Sequence, residues 1–330
     1  MSGGVEMRVV ALSGGIGGAK LALGLSRILA PGYLTIIANT GDDFEHLGLE
    51  ISPDIDTLMY TLAGLANPEV GWGRRDETWS FMQTLRGLGG VDWFNLGDRD
   101  LAVHVERTRR LKRGERLTAI TTDFCTSLGI ASKVLPMSDD PVRTVVKTPA
   151  GALAFQDYFV RLRCEPVVEG ITFAGSETAR LTPEVRDSLT RSDLAAIVIC
   201  PSNPLISIDP ILAVPGMRDA LTAASAPVIA VSPIIAGRSV KGPTAKMMAE
   251  LGIDVSAAAV ARRYAELIDA FMAEPEDAEV LTHNASQYSV HAAKTLMTSL
   301  EDRDALARAV LDIAEHVGVG GQQDRRERAR

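Results

Sequence analysis

The chain has few of the residues that cross-link small folds or bind transition metals. Its 330 residues include only three cysteines and five histidines. Cys125, Cys164 and Cys200 lie far apart and never form a Cys-x-x-Cys pair, which argues against a disulfide framework and a zinc ribbon. The histidines lack the His-Glu-x-x-His and His-x-His spacings of zinc sites. We therefore do not expect a hydrolase that uses a transition metal. The few, scattered cysteines suit a reducing compartment.

The chain also lacks an excess of positive charge and a long apolar segment. Its formal net charge of −8 offers no general attraction for nucleic acid or an anionic membrane. The longest apolar stretches, such as 194–200, are much shorter than the roughly 18–20 residues of a membrane span. Residues 1–7 contain Glu6 and no apolar run, so we expect no signal peptide. These absences favour a cytoplasmic protein without nucleic-acid or membrane partners.

Short runs of β-branched and aliphatic residues each end in a polar loop of small residues. Such runs occupy residues 8–12, 34–38, 195–200 and 228–231. Apolar runs without alternation are typical of strands that are buried on both faces, as in a parallel sheet covered by helices. Helical spacing at 19–30, 215–224 and 245–251 supplies the covering layers. The pattern predicts an α/β fold with a Rossmann-like parallel sheet.

Two other regions depart from this pattern. Helical spacing with little strand signal over 53–130 predicts a helical insertion after the second strand. Residues 142–147 and 152–161, around a turn at 149–151, predict a β-hairpin that extends the sheet.

The last third of the chain, at 256–271 and 292–316, is predicted to be helical. We therefore divide the chain into a nucleotide-binding α/β domain, the helical insertion and a flexible tail. The α/β domain comprises 7–52 and 131–316, and the tail comprises 317–330.

A glycine-rich segment follows the first predicted strand and opens a helix. It reads Ser13-Gly14-Gly15-Ile16-Gly17-Gly18-Ala19-Lys20. Glycines let a backbone approach an anion closely, and a helix N-terminus offers free N–H groups. The pattern fits neither Walker A nor the dinucleotide motif, because Lys20 precedes Leu21 and stands where the latter needs a third glycine. We interpret this glycine loop as a phosphate-binding loop of another kind, with a tight strand–helix turn as the alternative.

Two acidic segments follow the second predicted strand, at 39–43 and 52–57, and together contain four aspartates. Mg²⁺ binds one or two protein carboxylates together with phosphate oxygens and water. Ser52 and Pro53 resemble an N-cap and a first helical residue, and Asp54 then suits the start of a helix. We therefore favour Asp43 and Asp56 as metal ligands.

Two further loops, at 201–204 and 242–246, are candidates for contact with phosphate or base, although each alone is more often a turn or a cap. Ligands of open α/β sheets bind beyond the carboxyl ends of the strands. Because the polar loops follow such ends, we expect them to converge on one site.

Several segments together resemble one protein family in order and spacing. They are SGGIGGAKLALGL, ANTGDDF, SPDIDTLMYTLAG, LGDRDLA, LPMSDDPV, FQDYFV, PSNP and VSPIIAGRSVKGPTAKMM. From about residue 7 to 299, the chain closely resembles the CofD/FbiA family, the 2-phospho-L-lactate or phosphoenolpyruvate transferases of coenzyme F420 biosynthesis.

The resemblance implies a reaction. In this family the terminal ribityl hydroxyl of the deazaflavin Fo attacks the phosphate next to the three-carbon acid of a guanosine diphosphate-linked donor. GMP leaves, and a phosphodiester, (dehydro-)coenzyme F420-0, remains. The resemblance also implies a homodimer and a Mg²⁺ ion held by Asp43 and Asp56, which would act in catalysis. The identity of the three-carbon acid stays open.

The resemblance further implies binding residues. Asp56 and Asn95 would lie near Fo, and other members carry a basic residue at the position of Asn95. The nucleotide and its phosphates would be bound by Ser13, Gly14, Gly15, Gly17, Gly18, Lys20, Ser202 and Asn203. A nucleotide-sugar-binding regulatory protein with a similar glycine loop is the alternative, but the SPDIDT and LGDRD segments favour the transferase.

Overall fold

A seven-stranded parallel sheet forms the centre of the molecule. The computed structural model describes residues 4–69, 71–240, 242–282 and 287–317. Its strands are β1 (Arg8–Ser13), β2 (Leu34–Ala38), β3 (Phe44–His46), β4 (Leu49–Ile51), β5 (Lys133–Pro136), β6 (Arg143–Thr148), β7 (Gly151–Ala154), β8 (Gly170–Ala174), β9 (Leu194–Ile199), β10 (Val228–Val231), β11 (Ile234–Ile235), β12 (Arg238–Ser239), β13 (Ala270–Ala273) and β14 (Ser289–Ala292). The order in the central sheet is β14-β13-β10-β9-β1-β2-β5, with every neighbouring pair parallel. The predicted α/β class and its four predicted strands are confirmed.

Helices cover both faces of this sheet. They are α1 (Gly15–Ile28), α2 (Pro53–Leu62), α3 (Ser80–Gly87), α4 (Asp98–Leu111), α5 (Leu117–Ser127), α6 (Pro183–Leu189), α7 (Asp209–Ala213), α8 (Met217–Ala223), α9 (Thr244–Glu250), α10 (Ala257–Tyr264), α11 (Pro275–Thr282) and α12 (Leu300–Val317), with π-helical segments at Asp157–Arg161 and Pro204–Ile208. No helix among the described residues is long and apolar enough to span a membrane.

The apolar runs of the strands are continuous because each strand contributes to two cores. In β1, Val9 and Ala11 pack into the core beneath α1, α2 and α12. Val10 and Leu12 pack into the core on the other face, beneath α6, α8 and α10. Alternate residues of a strand point to opposite faces, so a strand between two helical layers needs apolar residues at every position.

The segment predicted as a helical insertion does contain the helices α2 to α5. Its first helix, α2, packs against α1 and contributes Ile55 and Leu58 to the core beneath the sheet. A small antiparallel hairpin, β3–β4, precedes α2. The division of the chain into domains remains a prediction.

The predicted β-hairpin is present, but its surroundings differ from our expectation. Strands β6 and β7 pair antiparallel, and β8 joins β6 to make a separate three-stranded sheet rather than an extension of the central one. The second strand ends at Ala154, and helical backbone follows through Arg161.

Our helical prediction for 256–271 was wrong at its end, because Ala270 begins β13, which lies between β10 and β14 in the central sheet. The run Ala270–Ala273 is short, apolar and fully buried, which is typical of a central parallel strand. The tail predicted at 317–330 lies outside the described residues from 318 onward.

Candidate functional site

A cavity of about 640 Å³ opens beyond the carboxyl ends of β1, β2, β9 and β10. Its polar wall consists of residues from the loops that follow these strands and from the start of α2. They are Gly14, Gly15, Ile16, Gly17, Lys20, Asp42, Asp54, Pro201, Ser202, Asn203, Ile206, Ser207, Ser232, Gly242 and Thr244. The predicted convergence of the polar loops on one site is therefore confirmed.

The glycine loop reaches this wall because its glycines allow close backbone contacts. Gly15 begins α1 with a φ of +63°, in the left-handed region that side chains disfavour. A Cβ on Gly17 would lie 2.3 Å from the carbonyl oxygen of Pro201. A Cβ on Gly18 would lie 2.4 Å from the hydroxyl oxygens of Ser13 and Ser202. The N-terminus of α1 thus packs directly against the loop that follows β9.

Lys20 contributes the positive charge of the polar wall. It is the only lysine or arginine among the described residues that line the cavity. Its Nζ donates a hydrogen bond to the carbonyl oxygen of Met297, at 2.7 Å. Ser13 and Gly18 lie directly behind the wall, whereas the other predicted nucleotide-binding residues line the cavity itself.

A hydrogen-bonded link between Asn39 and Asp54 joins the loops of the polar wall. Asn39 Nδ2 donates to Asp54 Oδ2, at 2.9 Å, and to the carbonyl oxygen of Ile206, at 3.1 Å. Asp54 Oδ1 accepts from the backbone N–H of Gly15, at 2.7 Å. Asp54 lies in the first turn of α2, as predicted, and it is also a buried acceptor for the glycine loop.

Buried carboxylates accumulate at this edge of the sheet. Asp42 lines the cavity, and Asp43 lies behind it with Oδ2 accepting from the Ser52 hydroxyl, at 2.8 Å. Ser52 and Pro53 occupy the predicted N-cap and first helical positions of α2, but the Ser52 hydroxyl donates to Asp43 and makes no capping hydrogen bond. Burial raises the pKa of Asp43 to about 7, and burial and the nearby Asp54 charge raise the pKa of Asp42 well above its usual range.

The same carboxylates suit a divalent cation. Among the described residues, Asp42 Oδ1 and Asp43 Oδ1 are buried without a hydrogen-bond partner. Buried carboxylates are costly unless a cation or hydrogen bonds compensate them. A hard, oxygen-liganded ion such as Mg²⁺ supplies that compensation, so these residues fit the expected metal.

Asp56 has a different environment. Its carboxylate accepts hydrogen bonds from both terminal nitrogens of Arg107, which is 1% exposed. His104 Nδ1 lies 3.6 Å from Asp56 Oδ2. Burial raises the Asp56 pKa, and the charges of Arg107 and His104 oppose that shift. Metal binding by Asp56 would require its ion pair with Arg107 to open, and its assignment as a ligand remains a prediction.

The cavity is also lined by aromatic and apolar side chains, here called the aromatic wall. Trp72, Phe94, Phe155 and Phe159 form it, and the rings of Phe155 and Phe159 stack at 5.3 Å. Asn95 also lines the cavity, where its Oδ1 accepts from Arg86, at 2.7 Å.

We did not identify this aromatic wall from the sequence. Its rings come from three separate segments, and Phe155 and Phe159 fell within a predicted strand. In a strand these residues would share one face with a third between them, whereas helical backbone makes them neighbours one turn apart. Their spacing of four residues was the available signal.

Comparisons with known proteins agree with this fold. The family model for 2-phospho-L-lactate transferase CofD matches residues 9–313. A phosphoenolpyruvate transferase of Kitasatospora aureofaciens is 42% identical over 322 residues, which cover 95% of this chain and all of that protein. Phosphoenolpyruvate transferases of Streptomyces griseus and Mycobacterium marinum are 41% and 40% identical, over 94% and 93% of this chain and 99% of each relative.

A solved structure supports the fold alone. The UPF0052 family protein of Bacillus halodurans aligns with a TM-score of 0.58 at 14% identity, and the alignment covers 94% of this chain and 100% of that protein. The family model and the sequence relatives each span nearly the whole chain. The chain therefore belongs to the 2-phospho-L-lactate transferase CofD family, whose members are transferases of coenzyme F420 biosynthesis.

Proposed function

We propose that the protein transfers a phosphoenolpyruvyl or phospholactyl group from a guanosine diphosphate-linked donor to the deazaflavin Fo. The observation that supports this function best is that one cavity combines two kinds of lining. One wall presents a glycine loop and a helix N-terminus, which suit a diphosphate. The other presents aromatic rings, which suit a planar heterocycle.

The donor would bind along the polar wall. The N-terminus of α1 offers the backbone N–H groups of Ile16 and Gly17, and Lys20 offers a cation near the same loop. Ser202 and Asn203 extend the wall towards the nucleoside. Phosphate binding of this kind depends on local backbone geometry, which agrees with a chain whose net charge is −8.

The acceptor would bind along the aromatic wall. The ring system of Fo would contact Phe159 and Trp72, with Asn95 beside it. Its ribityl chain would then extend towards the phosphates. Asp56 was expected to touch Fo as well, but it is not among the residues that line the cavity, so this contact would require its ion pair with Arg107 to open.

The chemistry requires one bond exchange at phosphorus. The oxygen of the ribityl hydroxyl bonds to the phosphorus next to the three-carbon acid, and the bond from that phosphorus to the GMP oxygen breaks. Such transfers depend mainly on positioning and charge neutralisation. A buried aspartate of this edge would accept the hydroxyl proton.

Magnesium would be held by Asp43, with Asp56 as the second ligand once Arg107 releases it. When bound, Mg²⁺ neutralises charge on the diphosphate and on the departing GMP. We further propose that the protein is a cytoplasmic homodimer. Light scattering of the purified protein measures its mass and tests the dimer.

Calorimetry tests this function directly. The wild-type protein is expected to bind GDP with Mg²⁺ and to bind Fo in the presence of GDP. UDP-sugars serve as the comparison, because the alternative regulatory protein would bind them. Binding of UDP-sugars without any binding of Fo would contradict the proposed function.

A further inference from the structure

The Asn39–Asp54 link connects four chain segments that are far apart in sequence. Asn39 follows β2, Asp54 opens α2, Gly15 opens α1, and Ile206 follows β9. Asn39 Oδ1 also accepts from the backbone N–H of Gly41, at 2.8 Å. Asn39 is fully buried and Asp54 is 6% exposed, so water does not readily substitute for either partner.

The neighbouring glycines leave room for this link. A Cβ on Gly14 would lie 2.6 Å from Asp54 Oδ2. A Cβ on Gly41 would lie 3.0 Å from Asn39 Oδ1. Part of the glycine content of both loops thus serves the buried link as well as any ligand.

We propose that Asn39 and Asp54 are positioning residues that hold the glycine loop and the loop at 39–43 in the geometry that binds the donor diphosphate. This inference rests on the proposed function for its ligand. The link fixes the direction of the Gly15 N–H and places the start of α2 against the start of α1. Neither residue needs to touch the reacting atoms.

The hydrogen-bonding pattern allows a specific test. Asp54 accepts from Gly15 and from Asn39, and Asn39 accepts from Gly41. In Asp54→Asn, each amide must turn its oxygen to a backbone N–H, so two NH₂ groups face each other. In Asn39→Asp, two carboxylates face each other and also lie near Asp42. Each single variant therefore contains a repulsive contact between residues 39 and 54. Asn39→Asp also places a carboxylate oxygen against the Ile206 carbonyl oxygen.

The exchanged double variant Asn39→Asp/Asp54→Asn removes the repulsion between residues 39 and 54. The amide of residue 54 accepts from Gly15 and donates to the carboxylate of residue 39, which accepts from Gly41. The net charge is unchanged, and the bond to the Ile206 carbonyl is replaced by a contact between two acceptor oxygens, which the double variant shares with Asn39→Asp. Two residues that acted on the loops independently would give losses that add, whereas a directly coupled pair predicts partial rescue. The loop exchange and GDP affinity, which a loss of global stability alone does not change, distinguish positioning from a general structural role.

Hydrogen–deuterium exchange and GDP titration together test the proposal. We expect faster exchange in peptides covering 13–18 and 39–43 in each single variant, with GDP affinity reduced at least about tenfold. The double variant should recover slow exchange and affinity to within about threefold of wild type. Val185→Ala in α6, a fully buried site away from the cavity, is the control that lowers the melting temperature without changing either readout.

The outcomes separate this inference from the proposed function. Unchanged exchange in Asp54→Asn, or a double variant as impaired as the two single variants combined, would overturn the positioning role. Failure of the wild-type protein to bind GDP would instead overturn the donor assignment, and the exchange data would still decide whether the link holds the loops.

Discussion

At the scale of single residues, Gly17 allows close packing within the protein, whatever ligand the loop binds. Its missing side chain makes room for the Pro201 carbonyl, since an added Cβ would lie 2.3 Å from that oxygen. We expect Gly17→Ala to reduce the free energy of unfolding by about 1–3 kcal/mol and to weaken GDP binding. Urea denaturation and calorimetry measure the two effects.

The matched control for this substitution is Gly87→Ala. Gly87 lies in α3, and an added Cβ there would have no neighbour within 4 Å. It is expected to leave GDP affinity unchanged and to stabilise the fold by about 0.4–1 kcal/mol. Equal behaviour of the two variants would show that the loop tolerates a side chain at residue 17.

The burial of Asp43 predicts how the stability of the folded protein depends on pH. Its folded-state pKa is about 7, whereas an exposed aspartate titrates near 4, so the folded protein binds this proton more tightly. That stabilising contribution is present below about pH 4 and is lost as the pH rises through about 7. With EDTA present, we expect the difference in melting temperature between Asp43→Asn and wild type to increase from pH 5 to pH 8. A constant difference would contradict the burial of an ionisable Asp43.

The effect of Mg²⁺ on the melting temperature tests the two predicted ligands, Asp43 and Asp56, one at a time. If Asp43 and Asp56 both bind the ion, Mg²⁺ at pH 8 should raise the melting temperature of wild type but of neither Asp43→Asn nor Asp56→Asn. If Asp56 only balances Arg107, Asp56→Asn will still respond to Mg²⁺. Thermal shifts with Mg²⁺ and without it distinguish these cases, which loss of activity alone does not.

At the scale of elements, the ion pair between Arg107 and Asp56 joins α4 to α2. Both side chains are almost fully buried, and removing one partner leaves an uncompensated charge. We expect Arg107→Met to lower the free energy of unfolding by about 3–5 kcal/mol, and the double variant with Asp56→Asn to recover part of this loss. Glu106→Gln, which breaks an exposed pair with Arg109 on the same helix, should be close to neutral. Urea denaturation measures these losses. Equal losses of unfolding free energy for Arg107→Met and Glu106→Gln would contradict the structural importance of the buried pair.

Elements with a strong local sequence pattern could be predicted, whereas their contacts with distant parts of the chain could not. The central strands were recognisable because helical layers on both faces demand uninterrupted apolar residues. Strand β13 was missed because its four residues follow α10 closely and share its apolar character. The role of Asp54 was missed because its acceptor contacts come from Gly15 and Asn39, which lie far away in the sequence. Local patterns report on neighbours within a few residues, and these contacts are long-range.

At the scale of the whole molecule, the cavity brings together a polar wall from the sheet loops and an aromatic wall from the helical insertion and the segment after β7. The two walls should therefore act independently in binding. We expect Phe159→Ala to weaken Fo binding about tenfold while GDP affinity stays unchanged. Leu88→Ala, which removes an exposed side chain outside the cavity, should change neither affinity. A loss of GDP affinity in Phe159→Ala would show that the walls are not separate subsites.

The most direct test of the proposed function is mass spectrometry of the reaction products. Purified protein is incubated with Fo, Mg²⁺ and a guanosine diphosphate-linked donor carrying phosphoenolpyruvate, 2-phospho-L-lactate or 3-phosphoglycerate. We predict GMP release that depends on Fo, in equal amount to a phosphodiester of Fo with one of these acids. GMP release without any Fo-derived product, or no turnover with all three donors, would contradict the proposed transfer.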